Sequence, residues 1–252
     1  MRKFLLILFF VAGIAFGAHA DMTGGESVNY RVMYKWGLVN KQAGRVNLST
    51  RRAGSGAIDA RLVARSEKWA DAFYSVRDTL LGRMNVVTME PSYYEKITHE
   101  GGEYKRDLIN YTRKGNHVSA TCKRWKQKSK KKPLTESEIK LEAEGLTLDM
   151  LSSFYYMRSL DYAAMKPGDK KGLTVFSGKR KERLTITYHG RENVKIDKEE
   201  YPAYKISFSF TGEGGKKTSD DMEAWISTAP DRIPLKLEGK LPVGKVQCFY
   251  MK

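Results

Sequence analysis

The chain has 252 residues, of which 41% are hydrophobic and 29% charged, a globular composition rather than a disordered one. Its 22 glycines and 7 prolines are too few for a collagen or a linker protein. Lysine and arginine number 45 against 29 acids, for a formal net charge of +16, so the natural partners of this surface are anions.

Arg2 and Lys3 precede an apolar run from Phe4 to Phe16, and Ala18-His19-Ala20 follows it. Basic, apolar and small-x-small segments in that order read as a secretory signal peptide over residues 1–20, cleaved near Ala20. The run is shorter than the roughly 20 residues that span a bilayer. No cysteine follows it, so a lipoprotein anchor is not expected. The expected mature chain, 21–252, is one domain in the periplasm or another extracytoplasmic space. At that length a single core can bury about 70% of the unfolded surface.

Period-two alternation then dominates. Val28, Tyr30, Val32, Tyr34 and Trp36 point one way, while Asn29, Arg31 and Lys35 point the other, as in a strand with one dry and one wet face. Ile58, Ala60, Leu62 and Ala64 repeat the pattern. Residues 93–99 and 104–111 flank Glu100-Gly101-Gly102 as a hairpin, and Lys114-Gly115-Asn116 turns the chain into a strand over 118–125. From Leu173 onward short strands are expected near 184–188, 204–210, 222–226, 233–237 and 243–250. Three helical readings interrupt them. Trp69, Phe73, Val76, Leu80 and Met84 have helical spacing. Thr147 is positioned to cap a second helix through Phe154 and Leu160, ended by Lys166-Pro167-Gly168-Asp169. Thr135 with Glu138 forms a capping-box pattern for a third. The expected architecture is mainly β: an antiparallel sheet curled into a roll or partly open barrel, with two or three short helices. Whether aromatic side chains fill its interior stays open.

Cys122 and Cys248 lie on the apolar faces of alternating strands. An oxidising compartment would allow a bridge, and buried free thiols fit the same facing. Their separation matches no metal-ligand spacing. His99, His117 and His189 stand alone, so neither a metal nor a cofactor is expected. No nucleophile elbow, zinc-protease helix or phosphate loop is present, and no catalytic residue is assigned. The acid clusters 197–200 and Asp220, Asp221, Glu223 sit beside turns, where solvation accounts for them.

Two features remain as binding candidates. Lys123, Arg124, Lys126, Lys128, Lys130, Lys131 and Lys132 form a run of positive charge, and no acid occurs between Leu108 and Thr135. It is either a solvated hairpin end or a docking patch in which Arg124, Lys126, Lys128, Lys130, Lys131 and Lys132 meet a polyanion. Anionic lipid, lipopolysaccharide or acidic polysaccharide suits an exported protein, and nucleic acid does not. The second is the helix at 149–158, where Asp149, Ser152, Ser153 and Tyr156 share a polar face. Asp149, Tyr156 and Arg158 either line a ligand pocket or belong to a plug in which Arg158 bonds an acid or a carbonyl.

Three segments together resemble domain-of-unknown-function family 3108 of exported bacterial proteins. They are Tyr34-Lys35-Trp36-Gly37-Leu38 with Ala43-Gly44, Asp149-Met150-Leu151-Ser152 with Tyr155-Tyr156-Met157-Arg158, and Ala224-Trp225-Ile226-Ser227 with Arg232-Ile233-Pro234-Leu235 and Val243-Gly244-Lys245-Val246. The resemblance implies an extracytoplasmic β-rich domain related to the β-roll of capsule-associated envelope lipoproteins. It brings no catalytic residues. The expected role is non-enzymatic binding or delivery of an anionic envelope component, with an envelope-assembly scaffold as the rival and a polysaccharide-acting enzyme third.

Overall fold

The computed structural model describes residues 25–252 other than 55, 220 and 242. The expected signal peptide, and Asp220 of the second acid cluster, therefore lie outside the described residues.

One continuous sheet organises the rest. Its first arm contains β1 (Ser27–Trp36), β2 (Val39–Arg52), β3 (Ala57–Ser66), β4 (Arg77–Asn85), β5 (Pro91–Glu100), β6 (Glu103–Lys114), β7 (His117–Gln127) and β8 (Thr135–Glu144). A short helix α1 (Lys68–Asp71) lies between β3 and β4. The second arm begins with β9 (Thr147–Asp149), which runs into helix α2 (Met150–Ser159). It continues through β10 (Lys170–Phe176), β11 (Lys181–Ile196), β12 (Glu199–Gly212), β13 (Met222–Ser227), β14 (Pro234–Lys240) and β15 (Lys245–Met251). The spatial order is β8-β7-β6-β5-β4-β3-β2-β1-β15-β14-β13-β12-β11-β10-β9, a 15-stranded sheet. Every neighbouring pair is antiparallel except β9 with β10. The two arms join where β1 pairs with β15, for example Tyr30 opposite Tyr250.

The sheet is curled into a nearly closed barrel. Its two edge strands, β8 and β9, are consecutive in sequence and linked by residues 145–146. The linker is held to each arm separately: Gly145 N donates to Asn116 O of the first arm (2.9 Å), and Thr174 N of the second arm donates to Leu146 O (3.2 Å). Lys179 Nζ reaches Ser137 Oγ (3.1 Å) and Lys181 Nζ reaches Glu142 O (3.3 Å). Side chains rather than a backbone ladder bridge the seam, so the barrel is partly open there.

The interior is filled. α2 runs through it, starting from an N-cap in which Asp149 Oδ1 accepts from Leu151 N (2.7 Å) and Ser152 N (2.8 Å), while Ser152 Oγ accepts from Asp149 N (2.9 Å). On one side the helix packs against Leu48, Ile58, Met84, Tyr94, Ile109 and Phe176. On the other lie Leu148, Leu173, Leu184, Ile186, Ile206 and Ile226, and Met150 and Tyr156 pack against both groups. Each such fully buried side chain contributes about 1.5–3 kcal/mol through removal from water. Both cysteines are free, on different strands, so the thiol alternative is the one realised.

The structure corrects the three helical readings. Residues 69–84 are not a helix. Trp69 and Phe73 belong to α1 and the turn after it, with rings edge to face at 6.3 Å, and the chain then becomes β4. There Leu80, Gly82 and Met84 face inward, so the operative period is two and the helical spacing is accidental. The stretch after Thr135 is β8, not a third helix. Ile139, Leu141 and Ala143 pair opposite Cys122, Ala120 and Val118 of β7. Thr135 Oγ1 donates across that hairpin to Lys126 O (2.9 Å) rather than capping anything. The central helix is real, but Asp149 caps it in place of Thr147, and it ends at Ser159, before the Lys166–Asp169 turn.

Candidate functional site

An up-and-down meander sends alternate connections to opposite ends of the barrel. Connections 37–38, 67–76, 101–102, 128–134, 177–180, 213–221 and 241–244 meet at one end. Connections 53–56, 86–90, 115–116, 145–146, 160–169, 197–198 and 228–233 meet at the other. Lys128, Lys130, Lys131, Lys132, Lys179 and Arg180 all fall in the first set, which is the basic end.

The inward-facing rows of β5, β6 and β7 change character toward this end. Tyr94, Ile109 and Cys122 are fully buried at mid-barrel. The next inward positions are Lys96 and Thr98 on β5, Asp107 and Lys105 on β6, and Arg124 on β7. They form one wall of a cleft of about 390 Å³. The opposite wall comes from the second arm, with Ser177 and Arg180 from the β10–β11 turn, Glu182 from β11, and Thr218 beyond β12. Met150, the first residue of α2, also lines it.

Much of this polar lining is locked. Arg124 makes a fork-like pair with the buried Asp107, Nε to Oδ1 at 2.5 Å and Nη2 to Oδ2 at 2.6 Å. Glu182 accepts from Thr218 Oγ1 (2.5 Å) and from Ser177 Oγ. Glu103 lies between Lys105 (2.7 Å) and Lys126 (2.8 Å), which hold its carboxyl at about 2. Beside the cleft, burial and then the neighbouring Glu100 carboxylate push Asp78 up to about 6. The two arms meet at Gly178. At φ +81°, a Cβ there would stand 2.4 Å from Asp107 Oδ2 and 2.8 Å from an Arg124 nitrogen. Only glycine lets the β10–β11 turn rest on the ion pair.

The structure divides the basic run. Strand alternation turns Arg124 into the cleft and Lys126 onto Glu103. Lys123 faces outward, 3.6 Å from Glu138. Lys128, Lys130, Lys131 and Lys132 occupy the exposed β7–β8 connection, with no side-chain partner among the described residues. They are therefore an exposed cationic rim rather than part of one patch with Arg124.

The three candidates on α2 do not share a site. Asp149 is fully buried and committed to the cap. Its Oδ2 has no partner, and neither do the buried hydroxyls of Tyr94 and Tyr111. Burial pushes its carboxyl up to about 7. Tyr156 faces a separate cavity of about 660 Å³ at the opposite end, with Val87, Glu90, Asp161, Lys170 and Lys171 in its walls. Arg158 is fully buried. Its Nη1 and Nη2 donate to the Glu26 carboxylate at 2.7 and 2.6 Å, and it also bonds Asp231 O (2.8 Å) and Arg232 O (3.2 Å). It ties helix, N-terminal segment and the β13–β14 connection together.

The isolated histidines are spoken for by ordinary partners. His117 Nδ1 lies 2.8 Å from Glu144, and His189 Nε2 lies 2.7 Å from Ser207 Oγ. Among the acid clusters, Asp197 pairs with Arg31 (2.5 Å) and Asp221 with Lys217 (2.9 Å). No group of histidine, cysteine and acidic residues suited to a metal occurs among the described residues. Sequence reading missed Lys96, Glu182, Arg180 and Gly178. The Ser177-Gly178-Lys179-Arg180 turn was the available signal, since it adds two cations at a glycine between strands.

The chain belongs to the DUF3108 family, a family of unknown function, whose sequence profile matches residues 29–249. Among solved structures, it is similar to a β-barrel-like protein of domain of unknown function DUF1849 from Brucella abortus. The identity is 12%, the match covers 90% of this chain and 95% of that one, and the TM-score is 0.61. That likeness shows the barrel-like fold. A protein with a YmcC-like fold from Bacteroides fragilis matches at 7% identity over 91% of this chain and 96% of that one, with a TM-score of 0.37. No curated protein matches the sequence.

Proposed function

We propose that this DUF3108 protein is an exported, non-enzymatic binding protein that holds an anionic component of the cell envelope, lipid or polysaccharide, at its basic end. The observation that carries this reading is the cleft between the two arms. Lys96 and Arg180 reach it without a salt-bridge partner among the described residues, and serine and threonine hydroxyls stand beside them. Two cations without a salt bridge can meet a phosphate or carboxylate, while hydroxyls and the Phe210 and Met222 side chains contact the rest of a ligand. Export rests on the basic, apolar and small-residue order of Arg2 to Ala20, and the lack of a cysteine there favours an unanchored periplasmic protein. Among the described residues no helix is long and apolar enough to cross a membrane.

The scaffold reading would need a sheet edge or a helix face open to a partner protein. The exposed positions of edge strand β8 carry Glu136, Glu138, Lys140, Glu142 and Glu144, charges that disfavour strand addition. The enzymatic reading has one specific support, the Asp78 and Glu100 carboxylates at the cleft rim. It predicts hydrolysis of an envelope polysaccharide that Asp78→Asn abolishes.

Native mass spectrometry of the mature protein, purified gently from the periplasm of its host, tests the binding reading. A discrete mass excess that disappears on denaturation supports it. In the Lys96→Gln/Arg180→Gln variant its occupancy should fall at least about tenfold, given about 1 kcal/mol per lost cation. A clean apo mass for the wild-type chain would overturn it and make partner capture the next step.

A further inference from the structure

The large apolar side chains left exposed are not scattered. Trp36 ends β1, Leu38 lies in the β1–β2 connection and Val39 opens β2, while Leu241 and Val243 lie on the β14–β15 connection beside them. Phe73 and Tyr74 follow α1, and Leu134 ends the lysine-bearing connection. All of these are at the basic end, and among the described residues only Val87 stands at the other. Single exposed apolar residues need no explanation, but such segregation does.

These tips are held in place. Tyr34 Oη donates to Val243 O (3.0 Å). Gly244, at φ +80°, lets the β14–β15 connection approach so closely that a Cβ there would lie 2.4 Å from Lys35 O and 2.9 Å from Trp36 Cβ. On the other flank Trp69 Nε1 donates to Gln42 O (2.7 Å), and the Lys41 ammonium lies 4.7 Å from the Trp69 ring centre. Tyr74 then packs against Gly101 of the β5–β6 turn. The row is therefore continuous from β14–β15 across β1–β2 to α1 and the β5–β6 turn. It is also convex, because Leu38 is fully exposed and Phe73 is 84% exposed. A projecting tip has no groove for a peptide, whereas a fluid surface can close around it.

The charge just behind the tips favours the same partner. Lys245 stands directly opposite Lys35 on one side and Lys240 on the other. Like charges in register repel within the sheet. Among the described residues Lys245 forms a salt bridge, with Glu238 at 2.6 Å, and Lys240 bears on Asp221 without forming one. An anionic surface would relieve that repulsion, and each lysine near one gains about 1 kcal/mol.

We propose that the β1–β2 and β14–β15 connections insert Trp36, Leu38, Val39 and Val243 into the interfacial layer of an anionic phospholipid bilayer, with Lys35, Lys41 and Lys240 at headgroup depth. This brings the cleft of the proposed binding site toward the bilayer, but it does not depend on what the cleft holds.

The test is flotation of the mature chain with phosphatidylcholine vesicles containing or lacking phosphatidylglycerol, together with tryptophan emission. Wild-type protein should float with the anionic vesicles, with a blue shift that Trp36→Phe removes while binding persists. Leu38→Asp/Val243→Asp should reduce binding at least about tenfold. Lys35→Gln/Lys240→Gln should weaken it and flatten its salt dependence. Lys96→Gln/Arg180→Gln should float like wild type, which separates failure of the cleft from failure of the tip. Unchanged flotation of Leu38→Asp/Val243→Asp, whose exposed sites do not threaten folding, would overturn the proposal. Equal flotation with uncharged vesicles, or none with either kind, would overturn it as well.

Discussion

The two ends of the barrel share one sheet and one alternation rule yet resolve their polar residues differently. At the end away from the lysines, Arg158 spends its guanidinium on Glu26 and two backbone carbonyls. Beside it Tyr162 stacks on Tyr204 at 4.7 Å and donates from its hydroxyl to Met157 O (2.6 Å), while the Arg232 guanidinium lies 4.6 Å from the Tyr204 ring centre. Arg158 is thus fully partnered, whereas the buried Arg232 leaves Nε and Nη1 without a hydrogen-bond partner and rests on the Tyr204 ring. At the basic end Asp107, Glu103 and Glu182 are partnered, but Asp78 faces Glu100, and Lys96, Arg180 and the β7–β8 lysines have no salt bridge among the described residues. Both ends contain buried ion pairs, but the basic end also keeps cations and apolar tips exposed to solvent.

Four measurements would break or sharpen this contrast. The largest effect should come from Arg158→Ala, which leaves a cavity at a fully buried site and strands the part-buried Glu26 carboxylate and two carbonyls. A loss of about 3–5 kcal/mol in chemical denaturation is expected, and a loss under about 1 kcal/mol would mean that this end is not the anchor. Next is the pH dependence of Asp149. Its carboxyl is raised to about 7 in the folded state by burial, against about 4 in an unfolded chain. The folded state thus binds the extra proton, so this contribution is full below pH 4 and is lost as pH rises to 7. It amounts to a few kcal/mol. Asp149→Asn, which keeps a capping side chain, should flatten the melting temperature across that window relative to wild type.

Gly178→Ala should cost about 1–3 kcal/mol, because it combines a left-handed backbone with a clash on Asp107. It should also impair the cleft, read as lower ligand occupancy, whereas a stable variant with normal occupancy would detach the turn from the site. The smallest stability change should follow Lys128→Ser/Lys130→Ser/Lys131→Ser/Lys132→Ser, within about 0.5 kcal/mol of wild type. If these lysines form an electrostatic rim, the variant should still lose salt-sensitive binding to anionic vesicles.

Much of the fold was legible because strand alternation is local. Val28 and Tyr30 inward, the Gly101-Gly102 turn and the Lys114-Gly115-Asn116 turn all appear where period two and turn chemistry put them. Where local signals competed, the reading failed. Helical spacing at 69–84 and a capping-box pattern at 135–138 yielded to pairing with neighbouring strands, since a sheet's hydrogen bonds and one buried face outweigh propensity. The candidate site was half legible. Arg124 was singled out for its charge, but its place in the cleft depends on Asp107 across the hairpin and on Gly178 across the seam. Arg158 was recognisable as a buried cation in need of a partner, but nothing local pointed to Glu26, 132 positions away.

By itself, then, the sequence determined that this is a curled antiparallel β-protein with a capped central helix and a large basic excess. Each of those follows from spacing, turn residues and counts within a few positions. Only the tertiary structure decided that the helix fills the interior, that the basic run splits between cleft and rim, and that the exposed apolar tips share the lysines' end. The physical reason is that strand order and register join residues far apart in the chain, and an even meander sorts its connections by parity rather than by composition.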